Sequence, residues 1–357
     1  MFSETLPLRI RAAETLVFSR QAGTIVAFNY LTGSAFECGP DLLRFLLDMS
    51  AWRSIDDIGD LVPSISPDEL ETTVRSLIDV NALIEDGSDL ARREEAITKE
   101  WHWGMPAALF HFSVQDRAYM TMEETEATQV AKLSEEAPPP LYLTHEGCPS
   151  TVELPPVLGG SGLLQLMARR RTVRSAGQPT ISLRGLSECL FAGMGITGHT
   201  QNVVGALPLA MTPSGGARNP YEAYVYARAV DGLSSGFYHY SGFDHSLKRL
   251  ATDARPLPSE ILGGQQWADE MPCIILLCAY FERTMWKYED ANAYRVVLIE
   301  AGHIGQNIML AATERGMSAC PTAALSHSPI QRLIGVENPT TEWPVYALTL
   351  GHPSASH

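Results

Sequence analysis

The sequence is short of positive charge: 26 lysines and arginines stand against 41 aspartates and glutamates, a formal net charge of −15. Neutralising a phosphate backbone needs a basic face, so a general nucleic-acid binder is excluded. A small anion held by a few local arginines remains compatible with such a surface. The six cysteines (Cys38, Cys148, Cys189, Cys273, Cys278, Cys320) include no C-x-x-C pair. That scatter argues against a disulfide framework and a zinc ribbon, and no metal site is expected. No window approaches the ~20 uninterrupted apolar residues of a membrane helix. The start, "MFSETLPLRIRAAETLV", lacks the basic stretch and apolar run of a signal peptide. Together these absences point to a cytoplasmic protein with no membrane partner.

What is present is a chain of 357 residues, 45% hydrophobic and 19% charged, enough for a sizeable core and two domains or one with an appendage. Three textures divide it. In residues 1–90, "TLVFSRQAGTIVAFNYLTG" alternates around Gln21–Ala22–Gly23 and predicts a β-hairpin. "SPDELETTVRSLIDV" predicts a helix with Ser66 as N-cap, Pro67 at its first position, Glu69 completing a capping box, and Leu70, Val74, Leu77 and Ile78 on one face. "NALIEDG" then reads as a short strand and turn. This is the make-up of a small winged-helix-like module. Its few cations between residues 31 and 90, Arg53 and Arg75 among them, favour peptide binding or packing over DNA.

Residues 91–165 read as a connector, with a charged helix start at Arg92–Glu95, the aromatic cluster "WHWGMPAALFHF", an acidic run at Glu123, Glu124 and Glu126, and an end at Pro138–Pro140. Trp101, Trp103, Phe110 and Phe112 are expected to pin it to a neighbouring core, with substrate stacking as the alternative. Residues 166–357 alternate helices with buried strands, which indicates an α/β or α+β core. "SLRGLSECLFAGMGI" predicts a helix with Leu183, Leu186 and Leu190 on a stripe. "EAYVYARAV" and "GFYHY" predict paired strands about a turn at Asp231–Gly232. "MPCIILLCAY" suits the centre of a sheet, Arg295–Arg315 a helix of about six turns, and "PVYALTLG" another buried strand.

Four motifs carry candidate chemistry. Gly193, Gly195 and Gly198 have dinucleotide-fingerprint spacing, but the preceding segment has helical periodicity, so a helix C-cap followed by a loop is expected. Arg169, Arg170, Arg171 and Arg174 crowd around Thr172, a set suited to a phosphate, although a solvated basic helix face is the simpler account of the cluster alone. Pro213, Ser214, Gly215, Gly216 and Pro220 share one loop before a strand. It is either a tight turn or a backbone that approaches a flat or anionic ligand. Glu300, His303 and Asn307 form a polar stripe on an apolar helix. The Glu-x-x-His pair has no second copy for a di-metal site, so a dimer interface or a cofactor edge fits better.

These pieces occur in one order: "RRRTVRS", "ISLRGLSECLFAGMGI", "PSGGARNPYEAYVY", "GFYHY", "WKYEDANAYRVVLIEAGHIGQN" and "GMSACPTAAL". Over residues 165–351 they resemble the nitroreductase superfamily, and specifically its SagB-type thiazole/oxazole (azoline) dehydrogenase branch, through Lys287–Tyr288 ahead of "AYR…EAGHIGQN". The N-terminal module is similar to the PqqD-like winged helix with which peptide-modifying enzymes grip a leader. The resemblance implies an α+β fold, a mixed sheet flanked by helices, with FMN at a homodimer interface. By position, Arg170, Arg171, Thr172 and Arg174 would hold the FMN phosphate and ribityl chain. Pro213, Ser214, Gly215 and Gly216 would lie along the isoalloxazine from the partner subunit, and Ala319, Cys320, Pro321 and Thr322 would approach the ring by backbone. The end "GHPSASH" lacks the lysine or arginine with which many nitroreductases touch the phosphate.

The implied activity is oxidation of a peptidyl azoline to an azole during maturation of a ribosomally made precursor peptide, with other maturation enzymes as candidate partners. Lys287 would be the base, once burial or Arg295 lowers its proton affinity, and Tyr288 would relay the proton or orient the ring; taken alone, the pair reads as an exposed helix entry. Two alternatives stay open: oxidation, hydroxylation or reduction of another peptidyl group, and a non-catalytic scaffold.

Overall fold

The computed structural model describes residues 9–139, 154, 162–336 and 338–354. Cys148, Pro140, the first eight residues and the last three of "GHPSASH" lie outside them. The chain forms two compact units, the first made of residues 1–115 and 285–294, the second of residues 116–284 and 295–357.

The first unit contains β1 (Arg9–Ala12), β2 (Leu16–Gln21), β3 (Thr24–Asn29), β4 (Ala35–Glu37), α1 (Pro40–Asp48), β5 (Arg53–Ser54), α2 (Ile55–Leu61), α3 (Pro67–Asp79), β6 (Leu83–Glu85), α4 (Asp89–Glu100) and α5 (Gly104–Ser113). Strands β5, β1 and β6 make one antiparallel sheet, and β2, β3 and β4 another. The predicted hairpin is β2–β3, and its turn has positive φ at Ala22 and Gly23, the primed geometry that matches strand twist. The Ser66–Glu69 capping box opens α3, whose Leu70, Val74 and Leu77 enter a core with Ile10, Met49 and Ile58, while Ile78 stays half-buried.

Arg92–Glu95 sit inside α4, which Ser88 caps, rather than at a helix start. The reason is electrostatic: Glu94 is buried and accepts from Arg11 Nη1 at 3.0 Å and from Thr15 N at 3.0 Å, which ties the middle of the helix to the sheet. A charged pair so placed must be fully hydrogen-bonded to persist. In the aromatic cluster, Trp101, Trp103 and Phe112 are buried, whereas Phe110 is exposed because it faces away on α5.

The second unit contains α6 (Met122–Glu135), α7 (Gly162–Arg169), β7 (Ile181–Ser182), α8 (Leu183–Met194), β8 (Ile196–Asn202), β9 (Gly205–Ala210), β10 (Tyr221–Ala227), β11 (Val230–Asp231), β12 (Gly236–Ser241), β13 (Ser246–Arg249), α9 (Pro258–Ile261), β14 (Cys273–Tyr280), β15 (Ser318–Thr322), α12 (His327–Ile334) and β16 (Glu342–Gly351). Between β14 and β15 the chain forms α10 (Glu282–Met285) and α11 (Ala293–Glu314), each crossing from one unit to the other in sequence.

Six strands form the main sheet in the order β13-β12-β10-β14-β16-β15, with antiparallel neighbours, and a parallel bridge of Thr172 to Ala319 at its β15 edge makes it mixed. β14 is buried along nearly its whole length, as its unbroken apolar run requires. Tyr226, Phe237, Ile274, Leu276 and Ile330 share one core, each contributing about 1.5–3 kcal/mol by burial.

The long helix α11 is apolar and long enough by composition to cross a membrane, but here Val297, Ile304, Ile308 and Ala312 are buried in protein. Gly305 lets it lie close to β16, since a Cβ there would come within 2.7 Å of the Tyr346 ring. Two local expectations fail. Leu183 is exposed at the first turn of α8, outside the stripe continued by Leu186 and Leu190. Gly195 does cap α8, yet the segment after it is the strand β8, paired with β9, rather than a loop. Helix-before-strand is the reverse of the order a dinucleotide fingerprint needs.

Candidate functional site

The basic cluster begins where α7 ends. Arg171 Nη1 donates to the Ala168 and Arg170 carbonyls, both at 2.8 Å, closing the open C-terminal end of that helix. The chain then runs extended, Thr172 bridging Ala319 on β15. Arg174 lies 5.9 Å from the Trp267 ring centroid and is close enough to Cys320 to act on its thiol. Burial pushes that thiol up, while the charge and hydrogen bond of Arg174 pull against it. Thr322 Oγ1 accepts from Gln265 Nε2 at 2.8 Å and from Ala324 N at 3.1 Å. Thr172, Arg174 and Ala319–Thr322 are thus one locality, with the Arg171, Thr172 and Arg174 side chains exposed.

Pro213–Gly216 form a second locality, fixed by α11. The Gly215 N–H donates to Glu300 Oε1 at 2.7 Å, and the Ser214 hydroxyl bonds the same carboxylate. Asn307 Nδ2 donates to Thr212 Oγ1 at 3.2 Å, and Thr212 Oγ1 donates to the Gly193 carbonyl at 2.6 Å. Gly215 has no room for a side chain, since a Cβ would stand 2.9 Å from Val296 Cγ1. Gly216 takes the left-handed conformation at φ 63°, followed by Ala217 and Asn219, also at positive φ. The polar stripe of α11 therefore divides: Glu300 and Asn307 hold the loop, and His303 is exposed. Burial raises the proton affinity of Glu300, only partly offset by the Gly215 amide, Ser214 and His303.

Beside this loop lies a cavity of about 360 Å³, whose lining includes Thr212, Ser214, Arg218, Glu222, His239 and Arg283. Its size falls in the range of small-molecule sites. Glu222 accepts from His239 Nε2 at 2.6 Å and pairs with the Arg283 guanidinium, whose Nη1 also donates to the Asn219 carbonyl at 2.9 Å. Burial alone would push the Glu222 carboxyl up, but these partners hold it below the ordinary carboxylate value. Sequence reasoning missed Glu222, His239 and Arg283. A signal existed: Glu222 and His239 interrupt the apolar runs of β10 and β12, neighbouring strands of one sheet.

Lys287 and Tyr288 belong to the first unit, in the stretch that joins α10 to α11. Lys287 is exposed, not buried as the base reading expected, and Arg295 is exposed too; the Lys287 Nζ lies 5.2 Å from the ring centroid of the half-buried Tyr288. Trp103 Nε1 donates to the Tyr288 carbonyl at 2.8 Å. The basic cluster, the Pro213–Gly216 loop and β15 belong to the second unit.

The donor set fits FMN. Exposed guanidinium and hydroxyl groups beside an edge strand suit a phosphate and polyol, and a loop without side-chain bulk at Gly215 and Gly216 suits a flat ring.

Comparison with known proteins agrees. Residues 167–352 match the nitroreductase family model. A protein of Methanocaldococcus jannaschii named as a nitroreductase is 30% identical over 53% of this chain and 90% of its own length. The trifolitoxin-processing protein TfxB of Rhizobium leguminosarum bv. trifolii is 32% identical over 35% of each chain. The microcin B17-processing protein McbC of Escherichia coli is 28% identical over 36% of this chain and 49% of its own. Less than half of either processing protein is therefore spanned. The solved E. coli microcin synthetase McbBCD complex with truncated pro-MccB17 bound contains a chain of similar fold, with a TM-score of 0.53 at 19% identity over 72% of this chain and 97% of that one. With more than half of its length matched by the family model, this chain belongs to the nitroreductase family of oxidoreductases, whose cofactor is FMN.

Proposed function

We propose that this oxidoreductase dehydrogenates azolines in a ribosomally made precursor peptide to azoles, as a SagB-type enzyme of the cytoplasm. The observation that carries the reading is the Lys287–Tyr288 pair ahead of α11, in a segment whose Tyr288 carbonyl is fixed by a buried indole. It lies in a chain whose relatives include two peptide-processing proteins. When bound, FMN supplies the acceptor for a hydride. The chain's own part is then to take a proton and to hold the peptide. Lys287 would take the proton from the azoline ring, so that hydride and proton together account for the two hydrogens lost. Tyr288 orients the ring or passes the proton on. Arg170, Arg171, Thr172 and Arg174, with Cys320, Pro321 and Thr322, would hold the cofactor's phosphate end and ring, and in a homodimer Pro213–Gly216 of a partner subunit would complete the site. Residues 1–90 grip the leader as a PqqD-like module, residues 91–165 connect, and residues 166–357 form the flavin domain. Other maturation enzymes would act on the same precursor, in line with the assembly in which the similar fold is found.

Purified protein should be yellow, and a leader-bearing azoline peptide should lose two hydrogens by mass spectrometry. A protein unable to take up FMN would overturn the enzymatic reading, and a gain of one oxygen would redirect it to hydroxylation. Lys287→Ala should keep FMN and lower turnover by about 10²–10⁴-fold, the usual range for a lost acid–base group. A normal rate would refute Lys287 as the base.

A further inference from the structure

Trp103 stands 185 positions from Tyr288 in sequence, yet its indole N–H meets the Tyr288 carbonyl at 2.8 Å. The indole has one donor and no acceptor, Trp103 is 2% exposed, and its N–H is directed at this carbonyl. Six residues on, Tyr294 closes the same segment. It is buried, its hydroxyl lies 3.0 Å from His111 Nδ1, and its ring meets Trp101 and Trp103 edge-on at 6.3 and 5.9 Å. Between these ends most side chains meet solvent, although Ala293 is buried. Asp290 accepts from Asn292 N at 2.7 Å and from Ala293 N at 2.9 Å, while Glu289, Asp290 and Asn292 are exposed. Backbone turns to the Asp290 and Ala291 carbonyls lead it into α11, and buried aromatic side chains hold Tyr288 and Tyr294 at its two ends.

We propose that Trp103 is a positioning residue for the Lys287–Tyr288 pair, acting through the Tyr288 carbonyl. The inference rests on the reading of that pair as catalytic. It gives "WHW" a role beyond pinning a connector: releasing the carbonyl frees the Tyr288 backbone, and with it the direction of the lysine one residue before. A misplacement of the order of an ångström at a reacting group lowers a rate steeply, while substrate and cofactor binding need not change.

Trp103→Phe keeps an aromatic ring and removes the donor. A second variant, with 3-benzothienylalanine at position 103, keeps the bicyclic shape and replaces only the N–H, which covers the case in which phenylalanine disturbs folding. In the FMN-bound full chain without peptide, hydrogen exchange of the 286–294 amides should rise about tenfold, the scale of one lost neutral hydrogen bond. With an azoline peptide, kcat should fall about tenfold while KM and FMN affinity stay within about twofold. In a Lys287→Ala background the Trp103 substitution should have no further effect on rate. Unchanged exchange in both variants would overturn the proposal, as would a loss that multiplies with that of Lys287→Ala. If Lys287→Ala turns out inert, the catalytic reading falls, and the exchange measurement still decides whether Trp103 holds the segment.

Discussion

Two short irregular segments carry candidate site residues, and they are held by opposite means. Pro213–Gly216 in the second unit hangs on a carboxylate: Glu300, 4% exposed on α11, accepts from the Gly215 N–H. Residues 286–292 in the first unit hang on an indole: Trp103, at the N-cap of α5, donates to the Tyr288 carbonyl. The first anchor can gain or lose a proton, and its burial makes it do so above the ordinary carboxylate value. The second cannot ionise at any relevant pH. A loop fixed by a titratable group inherits that group's pH dependence; a loop fixed by an aromatic donor is indifferent to it.

The sharpest way to break the comparison is to remove the charged anchor. Glu300→Ala leaves the Gly215 amide and the Ser214 hydroxyl without their acceptor in a crowded site. It should cost about 2–4 kcal/mol in urea unfolding, the sum of a lost buried hydrogen bond and a cavity. FMN affinity should fall with it, while exchange of the 286–294 amides stays as in the wild type. A stable variant with normal flavin binding would mean that the loop is shaped by its own glycines. A smaller effect belongs to the other candidate locality, beside β15. Arg174→Ala should weaken FMN about 10–100-fold in a fluorescence titration, as expected for one charge-assisted contact. The exposed position of Arg174 should leave the apoprotein's stability nearly unchanged.

pH sharpens the same contrast further. Glu300 has a raised proton affinity in the fold, so the native state binds more protons than the unfolded chain between the ordinary carboxylate value and the higher folded one. Its contribution is therefore favourable at low pH and is lost as pH rises through that window. Glu222 is the reverse case. His239 and Arg283 hold its proton affinity down, so its stabilisation is present above the ordinary value and lost as pH falls below it. In denaturant titrations across pH, Glu300→Gln should remove a decline on the alkaline side of the carboxylate range, and Glu222→Gln one on the acid side. The effect should be smaller for Glu222, because part of its pair with Arg283 meets solvent. Equal slopes in both variants would contradict the assignment.

Which of these features the sequence announced follows from how local they are. The Ser66 cap, the β2–β3 hairpin, β14 and α11 all depend on neighbours within a few residues, and each was readable from spacing. The basic cluster and the Pro-Ser-Gly-Gly loop were readable as types of residue. Their supports were not, because Glu300 reaches Gly215 across 85 positions and Trp103 reaches Tyr288 across 185. The same holds for the Glu222, His239 and Arg283 group, gathered from two strands and the segment after a third. β8 escaped for a different reason: "ITGHTQN" is exposed along most of its length, so no buried face imposes an alternating pattern. Arg92–Glu95 misled because charge at a helix start and charge buried against a sheet look identical until Arg11 is seen beside Glu94.

The smallest predicted effect serves as the control for the others. Ser66 accepts from the Glu69 amide and Glu69 answers to the Ser66 amide, satisfying two of the orphan donors at the start of α3. The Glu69 carboxyl is held below its usual value by the Ser66 hydroxyl and amide. Ser66→Ala should cost about 1 kcal/mol, the ordinary worth of an N-cap, as a shift in the denaturant midpoint at constant slope. It touches neither irregular segment, so FMN affinity and exchange of the 286–294 amides should not move. If they did, the anchors at Glu300 and Trp103 would be reporting general stability, and the contrast between a carboxylate-held loop and an aromatic-held one would lose its physical basis.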